Sequence, residues 1–206
     1  MKVELIFEEP LLGTLPGDKA IAKDFVLSKH PEGISKEELM ALCDVDEAVV
    51  KISTVFARDE EGRPMLWDYQ IKGFLKEACE AMIHSGAMTK EELKKYRLTQ
   101  YLYKKTIDRQ VFISPRRLVL QLPDSCDSNK LDFCERPLRG MTMRGERVSL
   151  ARSEQAPAGT KVVFEISFLN PKLLDFVKQW LTYGALLGAG QWRNSGKGRF
   201  SWREIE

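Results

Sequence analysis

At the start of the chain Val3, Leu5 and Phe7 alternate with Lys2, Glu4 and Glu8, the two-residue period of a strand with one buried face. Pro10, Gly13, Pro16 and Gly17 then impose a loop. Ser35-x-x-Glu38 reads as a capping box opening a short helix that runs to about Cys43. Residues 58–64 are charged and turn-like, ending in Gly62-Arg63-Pro64. Beyond them Ile71, Phe74, Leu75, Ala78, Met82 and Ile83 recur at three- and four-residue intervals, which predicts an amphipathic helix capped by Asp68 and stopped at Gly86. Thr89-x-x-Glu92 predicts a brief polar helix.

Residues 107–114 and 118–122 read as extended, separated by Pro115 and the Arg116-Arg117 pair. The polar stretch 123–136 reads as a loop, and 141–151 as extended and broken at Gly145. The cleanest strand is Val162, Phe164, Ile166 and Phe168 alternating with Val163, Glu165 and Ser167. Asn170-Pro171 then gives a helix cap followed by proline at the first helical position. Leu173, Leu174, Val177, Trp180, Leu181 and Leu187 form the stripe of the last helix, and residues 199–203 the last strand.

With the insertions set aside, this order is β-α-β-β-α-β, an α+β, ferredoxin-like (RRM-like) core with an antiparallel sheet. The expectation is a single domain over residues 1–206, with a helical insertion at about 18–60 and a hairpin or loop insertion at about 123–152. Two helices would cover one sheet face and leave the other free.

Composition changes the picture little. A chain of 206 residues with 43% hydrophobic and 30% charged positions is of globular type and large enough for a substantial core. Acids interrupt the apolar N-terminus, which argues against a signal peptide, and the expected setting is the reducing cytoplasm. Four cysteines without a C-x-x-C pair, and two isolated histidines, give no metal-ligand spacing, so no metal and no cofactor is expected.

Charge distribution changes it more. The net charge is only +2, yet residues 136–203 carry +8 and residues 1–135 carry −4. One basic face on an acidic body suits a polyanionic partner. Residues 188–202 hold four glycines, three cations and three aromatics with no acid. Gly190, Gly196 and Gly198 allow close backbone approach. Arg193, Lys197 and Arg199 suit phosphate, and Trp192 suits a stacked base. The plainer alternative is a turn before the last strand, with Trp192, Phe200 and Trp202 in the core. Arg139, Arg144 and Arg147, within a run that also includes Arg136 and Arg152, suit a hairpin arm along a sugar–phosphate backbone, with Arg116 and Arg117 as a weaker pair of the same kind. The spacing of Gly190, Gly196 and Lys197 does not make a phosphate-binding Walker loop.

Three blocks in order resemble the RAMP superfamily of RNA-binding proteins, in particular the backbone subunits of CRISPR effector complexes. They are Val3–Gly13, the segment Asp59–Ala78 with its Lys72-Gly73 pair, and Ala158 through Phe200. Trp67-Asp68-Tyr69-Gln70 departs from the Gly-Ser-Ser type of loop usual before that pair. The resemblance implies that Lys72 lies near an RNA backbone and that Gly73 lets the strand or a partner element approach; the alternative is a solvated helix lysine beside a close helix–sheet contact at Gly73. It carries no catalytic residue over, since neither Asp44 nor Asp46 aligns with the family's cutting aspartate. The chain is also similar to small phage-encoded proteins, which implies phage nucleic-acid metabolism or countering of host defence.

The resulting expectation is a non-catalytic binder of a single nucleic-acid strand, most readily RNA, with self-assembly along the strand or a protein complex as its setting. The alternatives are a protein-interaction or anti-defence protein of the same fold, and an endoribonuclease using His30 as general base.

Overall fold

The computed structural model describes residues 1–17, 53–127, 130–142 and 145–206. The helix expected at Ser35, together with His30, Asp44, Asp46 and Arg144, lies outside the described residues. In chain order the strands and helices begin with β1 (Lys2–Phe7), β2 (Leu11–Leu12), β3 (Leu15–Pro16), β4 (Ser53–Val55), β5 (Ala57–Arg58) and β6 (Pro64–Trp67). Then come α1 (Asp68–Ser85), α2 (Lys90–Lys95), α3 (Tyr103–Gln110), β7 (Val111–Ser114), β8 (Arg117–Val119), β9 (Asp132–Thr142) and β10 (Gly145–Ala156). β11 (Lys161–Phe168), α4 (Leu174–Leu187) and β12 (Phe200–Ile205) complete the order.

The architecture is mixed α+β with largely antiparallel sheets. The main sheet has the order β12-β1-β11-β7, every pair antiparallel. Pairing Val3 with Phe164 and Leu5 with Val162 puts all four side chains on one face, where each is essentially inaccessible. α1 and α4 cover that face. Ile71, Phe74, Leu75, Ala78 and Cys79 come from α1, and Phe176, Val177, Trp180 and Leu181 from α4. Phe200 meets Phe74 edge-on at 5.4 Å and Phe7 at 6.0 Å, tying both helix and sheet into one core. Burying each such side chain contributes about 1.5–3 kcal/mol. The opposite face carries Glu4 and Arg203, paired at 2.5 Å.

A second sheet joins β2, β10, β4 and β3, with β9 added on β10; among the described strands only β10 with β4 runs parallel. Its core is pinned by Glu154, which accepts from the Phe56 amide at 2.8 Å and pairs with the Arg58 guanidinium. A short sheet, β5-β6-β8, leads into α1.

Several expectations change. Asp68 is the first helical residue, not the cap: Trp67 holds that position, and its amide donates to Gln70 Oε1 at 2.7 Å. Residues 107–110 are helical because Tyr103, Thr106 and Ile107 bury at three- and four-residue spacing. The presumed loop before residue 136 is already strand from Asp132, held by continuous pairing to β10. In α4 Phe176 is buried, while Leu174 and Leu187 are only half-buried. Gly86 does end α1, at φ 73°. No helix among the described residues is long and apolar enough to cross a membrane.

Candidate nucleic-acid interface

The Gly-rich segment links α4 to β12 and is laced together at its ends. The Ala189 amide donates to Gly198 O at 2.9 Å, and the Gly198 amide donates to Pro10 O at 3.0 Å. Gly198 has φ 71°, and a Cβ there would fall on the Ala189 carbonyl, so glycine is needed for the two limbs to meet. Between them runs a 3-10 turn, Arg193–Ser195, entered by Trp192 at φ 55° and ended by Gly196 at φ 85°. A tryptophan in the left-handed region is strained by about 1–3 kcal/mol and needs its surroundings to hold it.

Arg136 of β9 supplies that hold. Its guanidinium lies 5.2 Å from the centre of the Trp192 ring, and one of its terminal nitrogens donates to Gln191 Oε1 at 3.1 Å. The remaining nitrogens, Nε and Nη1, are buried without a hydrogen-bond partner. Trp192 keeps 38% of its surface exposed, whereas Phe200 is at 2%. Of the loop's aromatics, Phe200 therefore serves the core and Trp192 the surface.

The loop's cations divide in the same way. Arg193 reaches back to pair with Glu77 of α1. Lys197 is half-buried and Arg199 exposed, and neither has an ion-pair partner among the described residues. Behind Arg193 a cleft of about 200 Å³ opens between α1 and the loop, lined by Leu11, Leu66, Phe74, Gly73, Glu77 and Gly190 among others.

The structure brings Gly190, Trp192, Arg193, Gly196, Lys197, Gly198 and Arg199 together with the base of the arginine-bearing hairpin. Arg139 lies further along β9, exposed and opposite Val148, and Arg147 pairs in register with Gly140. Lys72 lies on a different stripe of α1. Its ammonium donates to Asp108 O at 3.3 Å and sits 5.2 Å over the Phe112 ring. Burial there pushes it below the ordinary lysine value, against the pull of Asp108. Arg116 is exposed in the turn before β8; Arg117 pairs with Glu60 at 3.1 Å. Neither lines the cleft.

Gln70, Gly73 and Glu77 escaped the sequence reading as a group. Their spacing of three and four residues puts them on one stripe of α1, beside the apolar one. Arg136 was visible only as one arginine in a run of five.

No protein-family model and no curated protein matches the chain. Among solved structures the fold is similar to a chain of the Type III-B Cmr-beta bound to cognate target RNA, at 14% identity and a TM-score of 0.52. That likeness covers 100% of this chain and 58% of the other, so this chain spans little more than half of its relative. A chain of a Type IV-B CRISPR complex is similar at 11% identity and a TM-score of 0.45, over 98% of this chain and 88% of that one. The first of these likenesses shows a shared fold.

Proposed function

We propose that this chain binds single-stranded nucleic acid, RNA by preference, without cutting it, on a RAMP-like core of ferredoxin-like topology. The main sheet supports that topology: its strands, taken as first to fourth in the chain, lie in the order fourth-first-third-second, with α1 and α4 on one face. The observation that carries the functional reading is the contact of Arg136 with Trp192, which joins the hairpin and the Gly-rich loop into one surface. On it, Lys197 and Arg199 meet phosphates, Trp192 offers a stacking face, and Arg139 of the hairpin extends the track. The Cmr-beta neighbour, whose structure includes target RNA, fits this reading. Lys72, Arg116 and Arg117 belong to the β7–β8 side of the fold and are not part of this track.

Fluorescence anisotropy with labelled single-stranded RNA and DNA of one length tests the proposal. Binding must weaken as salt is raised, because phosphate contacts release counterions. Absence of binding at low salt, or binding indifferent to salt, overturns it. A protein partner is a second reading, favoured by Val148 and Leu150, which are 60% and 64% exposed on β10. That reading predicts a stable complex in the absence of RNA.

A further inference from the structure

Among the described residues two helices carry a glycine in their interior, and packing explains one of the two. In α4 a Cβ on Gly184 would collide with the Phe74 ring. In α1 a Cβ on Gly73 would meet nothing within 4 Å, and the backbone there is not left-handed. Glycine inside a helix is less favourable than alanine, because it has more backbone freedom to lose. Nothing in the free protein requires that cost at Gly73. Glycine is also the residue that leaves room for a ligand to approach a backbone.

The space beside Gly73 is the cleft of about 200 Å³ between α1 and the Gly-rich loop. Its walls are apolar, from Leu11, Leu66, Ile71 and Phe74, and Gly190 of the loop closes one side. Sites for drug-sized ligands run from about 300 to 1,000 Å³. This one has room for a single planar ring system. Arg193 also lines it, so a strand following the loop's cations passes the mouth.

We infer that the cleft receives one unstacked base of the bound strand, with Gly73 kept bare so that the ring can lie against α1. The inference rests on the nucleic-acid reading above. The chemistry of the rim sets the preference. Gln70 is committed, its Oε1 accepting from Trp67 and its Nε2 donating to Thr14 Oγ1 at 2.6 Å. Glu77 is paired with Arg193 through Oε2, and its carboxylate can only accept. An acceptor at the edge of a base pocket favours bases that carry an amino group, as cytosine does through N4, over uracil.

The test fills the cleft. Gly73→Leu and Gly73→Met put an apolar side chain into it while leaving every cation in place. Each variant and the wild type are titrated by anisotropy with oligocytidine, oligouridine and an abasic sugar–phosphate strand of equal length, and each is melted. The wild type is expected to bind oligocytidine about fivefold or more tighter than oligouridine, a gap that Glu77→Gln narrows. Both filling variants are expected to melt no lower than the wild type and to bind oligocytidine no better than the abasic strand, with affinity for the abasic strand unchanged. Oligocytidine binding at wild-type strength by the filled variants overturns the inference and leaves the RNA reading standing. Melting far below the wild type by both variants also overturns it, because the space would then not be open. A wild type that binds none of the three strands removes the RNA reading and this inference together.

Discussion

The ring of Phe74 occupies the place where a side chain on Gly184 would stand, so α1 and α4 meet through an aromatic face laid on bare backbone. This close crossing sets the distance between the two helices that cover the main sheet. Gly184→Ala is therefore expected to destabilise the protein by about 1–3 kcal/mol through overpacking. Gly73→Ala, where the added methyl meets nothing, is expected to raise stability by up to about 1 kcal/mol. Urea midpoints of the two variants check both signs at once.

Asp59 closes the turn between β5 and β6. Its Oδ1 accepts from the Glu61 and Arg63 amides at 3.1 and 2.8 Å, and its Oδ2 accepts from Arg63 Nε at 2.8 Å. Partial burial pushes its carboxyl up, but the hydrogen bonds and charge of Arg63 more than offset this and hold it below the ordinary 3.8. A depressed carboxyl stabilises the fold above its unfolded value and loses that contribution as pH falls through the folded one. Asp59→Asn is expected to be less stable than the wild type near neutrality, with the gap shrinking once pH drops below 3.8. Urea denaturation across that range measures it; a gap independent of pH contradicts the assignment.

Cys79 is buried in α1, and burial pushes its thiol up to about 12. Cys126 and Cys134 are half-buried on the surface side of the fold. Alkylation at mildly alkaline pH, mapped by mass spectrometry, is expected to modify Cys126 and Cys134 while sparing Cys79 until the protein is unfolded.

Much of this core was legible because each element announces itself locally. The stripe from Ile71 to Met82 and the alternation from Val162 to Phe168 are dictated by one buried face apiece. α3 was misread because Ile107, Val111 and Ile113 fit a strand's alternation, while the helical set of Tyr103, Thr106 and Ile107 includes a threonine and overlaps it. The start of β9 was missed because its polar residues bury no face; pairing to β10 holds it. The cleft could not be read at all, since Leu11, Gly73 and Gly190 come from distant parts of the chain and meet only in the folded state.

The hold of Arg136 on Trp192 makes a prediction separate from binding. Arg136→Ala removes the guanidinium from the ring and is expected to raise acrylamide quenching of tryptophan fluorescence above that of the wild type, because Trp67 and Trp180 are buried and the partly buried Trp202 is common to both proteins. Unchanged quenching would mean that the ring does not depend on Arg136.

Whether the Gly-rich loop meets phosphate is read from the salt dependence of RNA binding. For single strands each phosphate contact contributes about 0.7 to the slope of log affinity against log salt. The wild type and the Lys197→Ala/Arg199→Ala double variant are compared on the same oligonucleotide. The double variant is expected to bind more weakly, with a slope shallower by about 1.4. Equal affinity and equal slope for the two proteins would contradict it.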